Sequence, residues 1–237
     1  MQRLDLTLPT LPENLALDEA LLLDAQAGGP ATLRFWEMPT RGVVLGAGGK
    51  LCDEVHVERC AADHVPIERR GSGGGTVLLG PGCLLYSLIL PMDADPALAD
   101  LNASYRYISQ RCVDALAVAL PGVESGGGSD LVWRDRKFSG NAQQRKRTHL
   151  LHHGSILDTF DISLIDRYLK HPSRMPDYRR DRPHHDFVAN IHLGAERLQT
   201  LLASAWQAIE RRANWPADLV AQLVRDKYGR DDWRTRR

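Results

Sequence analysis

The chain has 237 residues, 43% of them hydrophobic, with 30 Lys plus Arg against 30 Asp plus Glu. That length suits one large domain, and the apolar content is ample for a core, which argues against a disordered chain. Zero formal net charge argues against a nucleic-acid or anionic-membrane partner, since neither would be attracted by a global field.

The charge is nonetheless uneven. Arg134, Arg136, Lys137, Arg145, Lys146 and Arg147 crowd one stretch, and Arg174, Arg179, Arg180 and Arg182 another; such clusters are either solvated surface or an anion site. Nothing near Met1 resembles a signal peptide, and no apolar run approaches the ~18 residues of a membrane span. The cysteines Cys52, Cys60, Cys83 and Cys112 have neither zinc-site nor disulfide-framework spacing. The expectation is a cytoplasmic monomer with reduced thiols.

In chain order, residues 14–26 place Leu15, Leu22 and Ala25 on one helical stripe, with acids opposite and Asn14 as cap. Residues 32–38 and 42–48 read as strands joined by a turn at Pro39-Thr40-Arg41. A short helix at 56–64 leads to a strand at 65–70, a glycine segment, and two apolar strands around Gly80-Pro81-Gly82 within 76–91. Residues 100–119 are helical up to Pro121-Gly122, and 130–139 and 148–158 are strands around a basic loop. Helices at 195–212 and 217–227 close the chain. This order predicts an α+β fold with a mainly antiparallel central sheet and flanking helices. The expected division is a catalytic domain over 1–195 and a helical extension over 196–237 packed on it.

Three segments carry chemistry. Arg69-Arg70-Gly71-Ser72-Gly73-Gly74-Gly75-Thr76 permits close backbone approach and positive φ, turning N–H groups toward an anion or flat ligand. Arg70 supplies a fixed fork of donors. A flexible linker makes little sense between two apolar strands, and the spacing fits neither a Walker loop nor the dinucleotide fingerprint. Lys137, before Phe138-Ser139-Gly140, is a surface lysine or an ammonium placed against an acyl carbonyl and a phosphate. His152-His153-Gly154-Ser155 suggests a metal, but adjacent strand residues face opposite ways and cannot readily chelate one ion, so no protein metal site is expected.

Together these blocks acquire an identity. Arg69-Arg70 with Ser72 to Val77, then Gly82, Leu84 and Tyr86-Ser87, then Asp130-Leu131, then Arg136-Lys137 with Ser139-Gly140 and Ala142-Gln143, then His152 to Ser155 with Leu157, resemble the lipoate–protein ligase A family. The likeness covers about residues 10–195. Asn14 to Glu19 and Leu33 to Trp36 resemble the family's opening helix and first strand. The resemblance implies a catalytic domain shared with biotin ligases and octanoyltransferases. It implies that Arg70, Ser72, Gly73, Gly74, Gly75 and Thr76 line a lipoyl-adenylate pocket with His153 and Gly154. Lys137 would contact the acyl carbonyl and phosphate, Asp130 would lie beside the nucleotide, and Ser139, Gly140, Asn141 and Ala142 would form a wall against it.

The implied reaction uses ATP, with Mg accompanying it, to convert lipoate to lipoyl-AMP. The lipoyl group then passes to a lysine of an acceptor domain, such as that of a 2-oxoacid dehydrogenase E2 or a glycine cleavage H protein. Two departures matter. Leu79-Gly80-Pro81-Gly82-Cys83-Leu84 is closer to octanoyltransferases, and no counterpart of the larger ligases' accessory C-terminal domain is seen, which opens the question of a separate accessory protein. The alternatives are a lipoyl or octanoyl transferase using a cysteine thioester, with Cys83 as the candidate nucleophile, and a catalytically silent lipoyl-domain binder. A last expectation concerns 174–187, read as a solvated loop or as a lid over the adenylate.

Overall fold

The structure, a computed structural model, describes residues 1–172 and 175–236. Its strands are β1 (Gln2–Asp5), β2 (Thr32–Trp36), β3 (Gly42–Leu45), β4 (Ile67–Arg69), β5 (Val77–Leu79), β6 (Cys83–Pro91), β7 (Val123–Gly126), β8 (Asp130–Trp133), β9 (Arg136–Arg145), β10 (His149–Leu157) and β11 (Glu210–Arg211). Eight form the main sheet, ordered β11-β1-β2-β6-β10-β9-β8-β7, and β4-β3-β5 form a small second sheet. In the main sheet every pairing is antiparallel except those β1 makes with β2 and β11. The α+β expectation holds. Helices α1 (Leu11–Gln26), α2 (Leu51–Glu54), α3 (Val57–Ala62), α4 (Leu101–Ala117), α5 (Ser163–Tyr168), α6 (His184–Phe187), α7 (Ala195–Ala205), α8 (Ala217–Leu223) and α9 (Asp231–Arg234) flank the sheets.

Period-two alternation separates two cores. From β6, Leu84, Tyr86, Leu88 and Leu90 join α4 and α7 on one face, while Cys83, Leu85 and Ile89 join α1 and the small sheet on the other. In β10, Leu150 and Ile156 take the first face and Leu151 and Leu157 the second. His152 and His153 are thereby sent to opposite sides of the sheet.

Helix α1 starts earlier than its apolar stripe suggests. Thr10 is the cap, in a capping box with Glu13, and Pro12 occupies the first turn, where a missing N–H costs nothing. Asn14 is therefore not the cap. Its side chain is buried, bonded to Leu8 and to the Thr10 carbonyl. The acids expected to face solvent, Asp18 and Glu19, are buried as well, because α1 is enclosed by the main sheet and by α8.

Other boundaries shift for local reasons. Residues 130–139 are two strands, since Arg134 and Asp135 both take positive φ and form a tight hairpin turn. Most of the basic stretch is then strand β9. The helix from 195 ends at Ala205, and the chain returns to the main sheet as β11. Helix α8 passes into a π-helical turn, Val224–Tyr228.

His152 is fully buried, with Nδ1 against the Gln143 amide at 3.2 Å and its ring edge-on to Tyr105 at 5.6 Å. Burial, then the neighbouring His153, pulls its pKa from 6.5 to about 3. The unfolded chain therefore binds a proton below pH 6.5 that the fold refuses until about pH 3. Stability is full above the upper value and falls as the pH drops through this window, by up to roughly 5 kcal/mol. Denaturant titrations at pH 7 and pH 4 are expected to show this loss, and His152→Gln should flatten the difference.

Candidate active site

A cleft of about 170 Å³ opens between the α1-facing side of the main sheet and the segment joining β4 to β5. Its inner part is apolar, built from Leu15, Trp36, Val44, Val77, Leu79 and Leu85, while Asp130, Lys137, Asn141 and the glycine segment form the polar part. This combination suits an elongated apolar ligand with a polar head.

Arg70 shapes the glycine segment from within. Its guanidinium donates to the carbonyls of Gly73 at 2.6 Å, Gly75 at 2.9 Å and Val44 at 3.3 Å, and its Nε to Ser72 Oγ at 2.9 Å. These donors fold the loop, so Arg70 serves as its internal scaffold as well as lining the cleft. With the carbonyls drawn inward, no backbone N–H of Gly73, Gly74 or Gly75 donates within the described residues. Gly74 has φ +87°, and its carbonyl would lie 2.0 Å from a Cβ on Gly46. The two loops touch backbone to backbone, which only glycine at position 46 permits.

A hydrogen-bond chain runs from this loop across the sheet. Ser72 Oγ lies 2.6 Å from His153 Nε2, and His153 Nδ1 lies 3.0 Å from Asp18 Oδ2. Ser87 donates to the same carboxylate oxygen at 2.8 Å, and Arg34 to the other at 2.7 Å. Burial raises the Asp18 carboxyl, but Arg34, His153 and Ser87 outweigh it and hold the group below the usual carboxylate range. An ionised Asp18 only accepts, so His153 carries a proton on Nδ1 and donates it to Asp18 Oδ2.

At the other end, Lys137 Nζ meets Asp130 Oδ1 at 2.8 Å, and Tyr178 donates to Asp130 Oδ2 at 2.7 Å. Burial, then Asp130, pushes the Tyr178 hydroxyl up, so it stays a donor. Lys137 keeps 29% of its side chain exposed, whereas Asp130 keeps 7%; the carboxylate is the fixed partner and the ammonium the one facing the cleft. Asn141 Oδ1 accepts from Tyr86 at 2.6 Å, fixing the wall beside them.

Of the residues the sequence selected, Arg70, Gly74, Gly75, Thr76, Asp130, Lys137, Gly140, Asn141, Ala142, His153 and Gly154 line the cleft. Ser72 and Ser139 are buried and do not line it, nor does Gly73. Ser72 reaches the cleft wall through His153. Sequence reasoning missed Asp18, Trp36 and Ser87. Alternation along β2 and β6, which sends Trp36 and Ser87 to the side His153 faces, was the available signal.

Among the described residues, no cysteine lines the cleft. Cys83 is fully buried, and burial, then Glu37, pushes its thiol up to about 12, the reverse of what a nucleophile needs. No group of three His, Cys, Asp or Glu residues able to hold a metal ion occurs among the described residues. In the arginine-rich segment, Arg174 lies outside the described residues. Arg179 and Arg182 stack on Phe187 at 4.8 and 5.4 Å, and His184 and His185 both meet Asp166. Arg179 is buried rather than solvated, and Tyr178 is the segment's link to Asp130.

The same architecture recurs in a bi-partite lipoate protein ligase from Thermoplasma acidophilum, studied with its E2 lipoyl domain. The TM-score is 0.86 at 22% identity, covering 99% of this chain and 95% of that one. A lipoate-protein ligase A bound with ATP gives 0.84 at 21% identity, covering 99% of both. The fold is thus that of lipoate–protein ligases. The chain belongs to the lipoyl protein ligase A/B catalytic domain family, which matches residues 10–202.

Among curated relatives, octanoyltransferase LipM of Clostridioides difficile is 30% identical over 66% of this chain, which spans 65% of that protein. LipM of Carboxydothermus hydrogenoformans is 30% identical over 93% of both chains. A probable lipoate-protein ligase A of Mycoplasma pneumoniae is 29% identical over 66% of this chain and 45% of its own. The family therefore includes ligases and octanoyltransferases alike, and membership makes this chain a lipoyl or octanoyl transferring enzyme.

A Cβ added to Gly140 would lie 2.7 Å from Lys137 Nζ and no nearer than 3.8 Å to Asp130. Gly140→Ala is thus expected to displace the ammonium while sparing the fold. Acyl transfer should fall by about 10²-fold, the usual cost of misplacing one preorganised charge. Kinetics measured beside a melting curve checks this; an equal loss of melting temperature would contradict it.

Proposed function

We propose that the protein activates lipoate with ATP as lipoyl-AMP and transfers the lipoyl group to a lysine of a lipoyl acceptor domain. The observation that carries this reading is the cleft's chemistry: Lys137 and a glycine loop whose N–H groups make no hydrogen bond among the described residues at the polar part, and no thiol among the described residues along it. A thioester route needs a thiolate beside a base or positive charge. An adenylate route needs only positioning and charge stabilisation.

In the first half-reaction a lipoate carboxylate oxygen attacks the α-phosphorus of ATP, and pyrophosphate leaves. The apolar part of the cleft holds the acyl chain, and the loop N–H groups receive phosphate oxygens. In the second, the neutral acceptor amine attacks the acyl carbon, the carbonyl oxygen becomes anionic beside Lys137, the acyl–oxygen bond to phosphate breaks so that AMP departs, and the amine gives up one proton to the departing phosphate or solvent. Asp130 and Tyr178 hold the ammonium in place. Mg would enter with the ATP phosphates as part of the nucleotide substrate. The likeness to a ligase bound with ATP supports nucleotide use, and the one studied with its E2 lipoyl domain supports the acceptor.

The second reading is octanoyl transfer without ATP, favoured by the relatives named LipM. Mass spectrometry of an apo lipoyl domain separates the two. A lipoyl mass gain that requires ATP is the expected result, whereas acyl transfer from an acyl-carrier protein without ATP would overturn it.

Two substitutions sharpen the test. Lys137→Ala should lower transfer by about 10²-fold or more in a folded protein, and normal turnover would remove the residue from the reaction. Cys83→Ser should keep most activity; an acyl group trapped on Cys83, together with loss of transfer in the variant, would establish the thioester route.

A further inference from the structure

The glycine loop has little to hold its outer side. Nothing lies within 4 Å of where a Cβ on Gly73 or Gly75 would stand, and glycine-rich backbone has the most conformational freedom to lose on ordering. Arg70 gathers the loop from inside. A second grip comes from the segment after α8, beyond residues 10–202 that the family matches.

That grip has three parts. Trp233 Nε1 donates to the Arg69 carbonyl at 2.8 Å, and Arg69 Nε donates back to the Arg234 carbonyl at 3.1 Å. Tyr228 donates to Glu19 Oε2 at 2.7 Å, and its hydroxyl packs against Gly71, where an added Cβ would lie 3.0 Å from it. Arg236 donates to the carbonyl of Ala47, whose N–H in turn donates to the Ser72 carbonyl at 2.7 Å. Residues 69–72 are thus bracketed on both sides. The Trp233 ring is itself approached by two cations, Lys227 at 4.4 Å and Arg236 at 3.9 Å from its centre. Simple core packing would account for buried rings, but not for hydrogen bonds converging on the backbone at the root of one loop.

We propose that Tyr228 and Trp233 are positioning residues, which hold Arg69 to Ser72 so that the loop N–H groups present themselves to the nucleotide phosphates. This rests on the ATP-dependent reading above. It also assigns the segment beyond α8 a role in the reaction rather than in coverage of the core alone.

The test uses the full chain carrying Trp233→Phe, Tyr228→Phe or both, since each keeps a ring and removes one donor. Three quantities are read: KM and kcat for ATP in lipoate activation, amide hydrogen exchange of 69–76 in the free protein, and melting temperature. Each single variant should raise KM for ATP about fivefold or more, the usual effect of one lost hydrogen bond, with kcat at saturating ATP retained. Exchange should quicken at 69–76 and not in β9 or β10. Unchanged KM and unchanged exchange in folded variants would overturn the proposal, and so would losses of KM, kcat and melting temperature in parallel. If the wild-type protein consumes no ATP with lipoate, the ligase reading fails by itself, and the exchange data still decide whether the grip exists.

Discussion

The pair between Arg34 and Asp18, 0% and 2% exposed at 2.7 Å, constrains everything around it. Two charges removed from water carry a desolvation penalty of several kcal/mol each, which their attraction offsets only when every remaining donor and acceptor is matched. Here they are matched. Arg34 donates to the Leu6 carbonyl, the Asn14 carbonyl, the Asn14 side chain and Asp18. Asp18 also accepts from Ser87 and His153. The set joins α1 to β2, β6 and β10, so α1 has one permitted rotation and depth. That placement puts Leu15 and Asp18 in the cleft wall and fixes the proton on His153.

The next residue on the same helix does the complementary task. Glu19 accepts from Gln144 of β9, from Lys146, and from Lys227 and Tyr228. Burial raises its carboxyl, but Lys227 and Tyr228 bring it below the ordinary range. Successive helical residues diverge by about 100°, so one acid serves the cleft and the other serves its outer support.

Much of this was legible in residue order. The glycine segment, Asp130, Lys137 and the histidine block read as one site through their resemblance to one family, and in the fold one loop and the three strands β8, β9 and β10 bring them together. The opposed faces of His152 and His153 follow from strand periodicity alone. What stayed hidden were consequences of enclosure. Asp18 and Glu19 look like a solvent face until the sheet and α8 close over α1, and Asn14 looks like a cap until Arg34 claims its side chain. Cys83 looks reactive beside Gly80-Pro81-Gly82, and only its inward position on β6 shows the thiol to be inert. Short β7 and β11 carry little apolar signal: their ladders with β8 and β1 define them.

The parallel contact of β11 with β1, and the bond from Tyr228 to Glu19 across 209 positions, mean that segments far apart in the chain complete each other. Without residues 210–228 the outer edge of β1 has no neighbour among the described residues, and Glu19 loses two of its four donors, Lys227 and Tyr228. Closing so long a loop is a late and slow event. The support of the glycine loop is therefore a property of the assembled chain and not of any one segment of it.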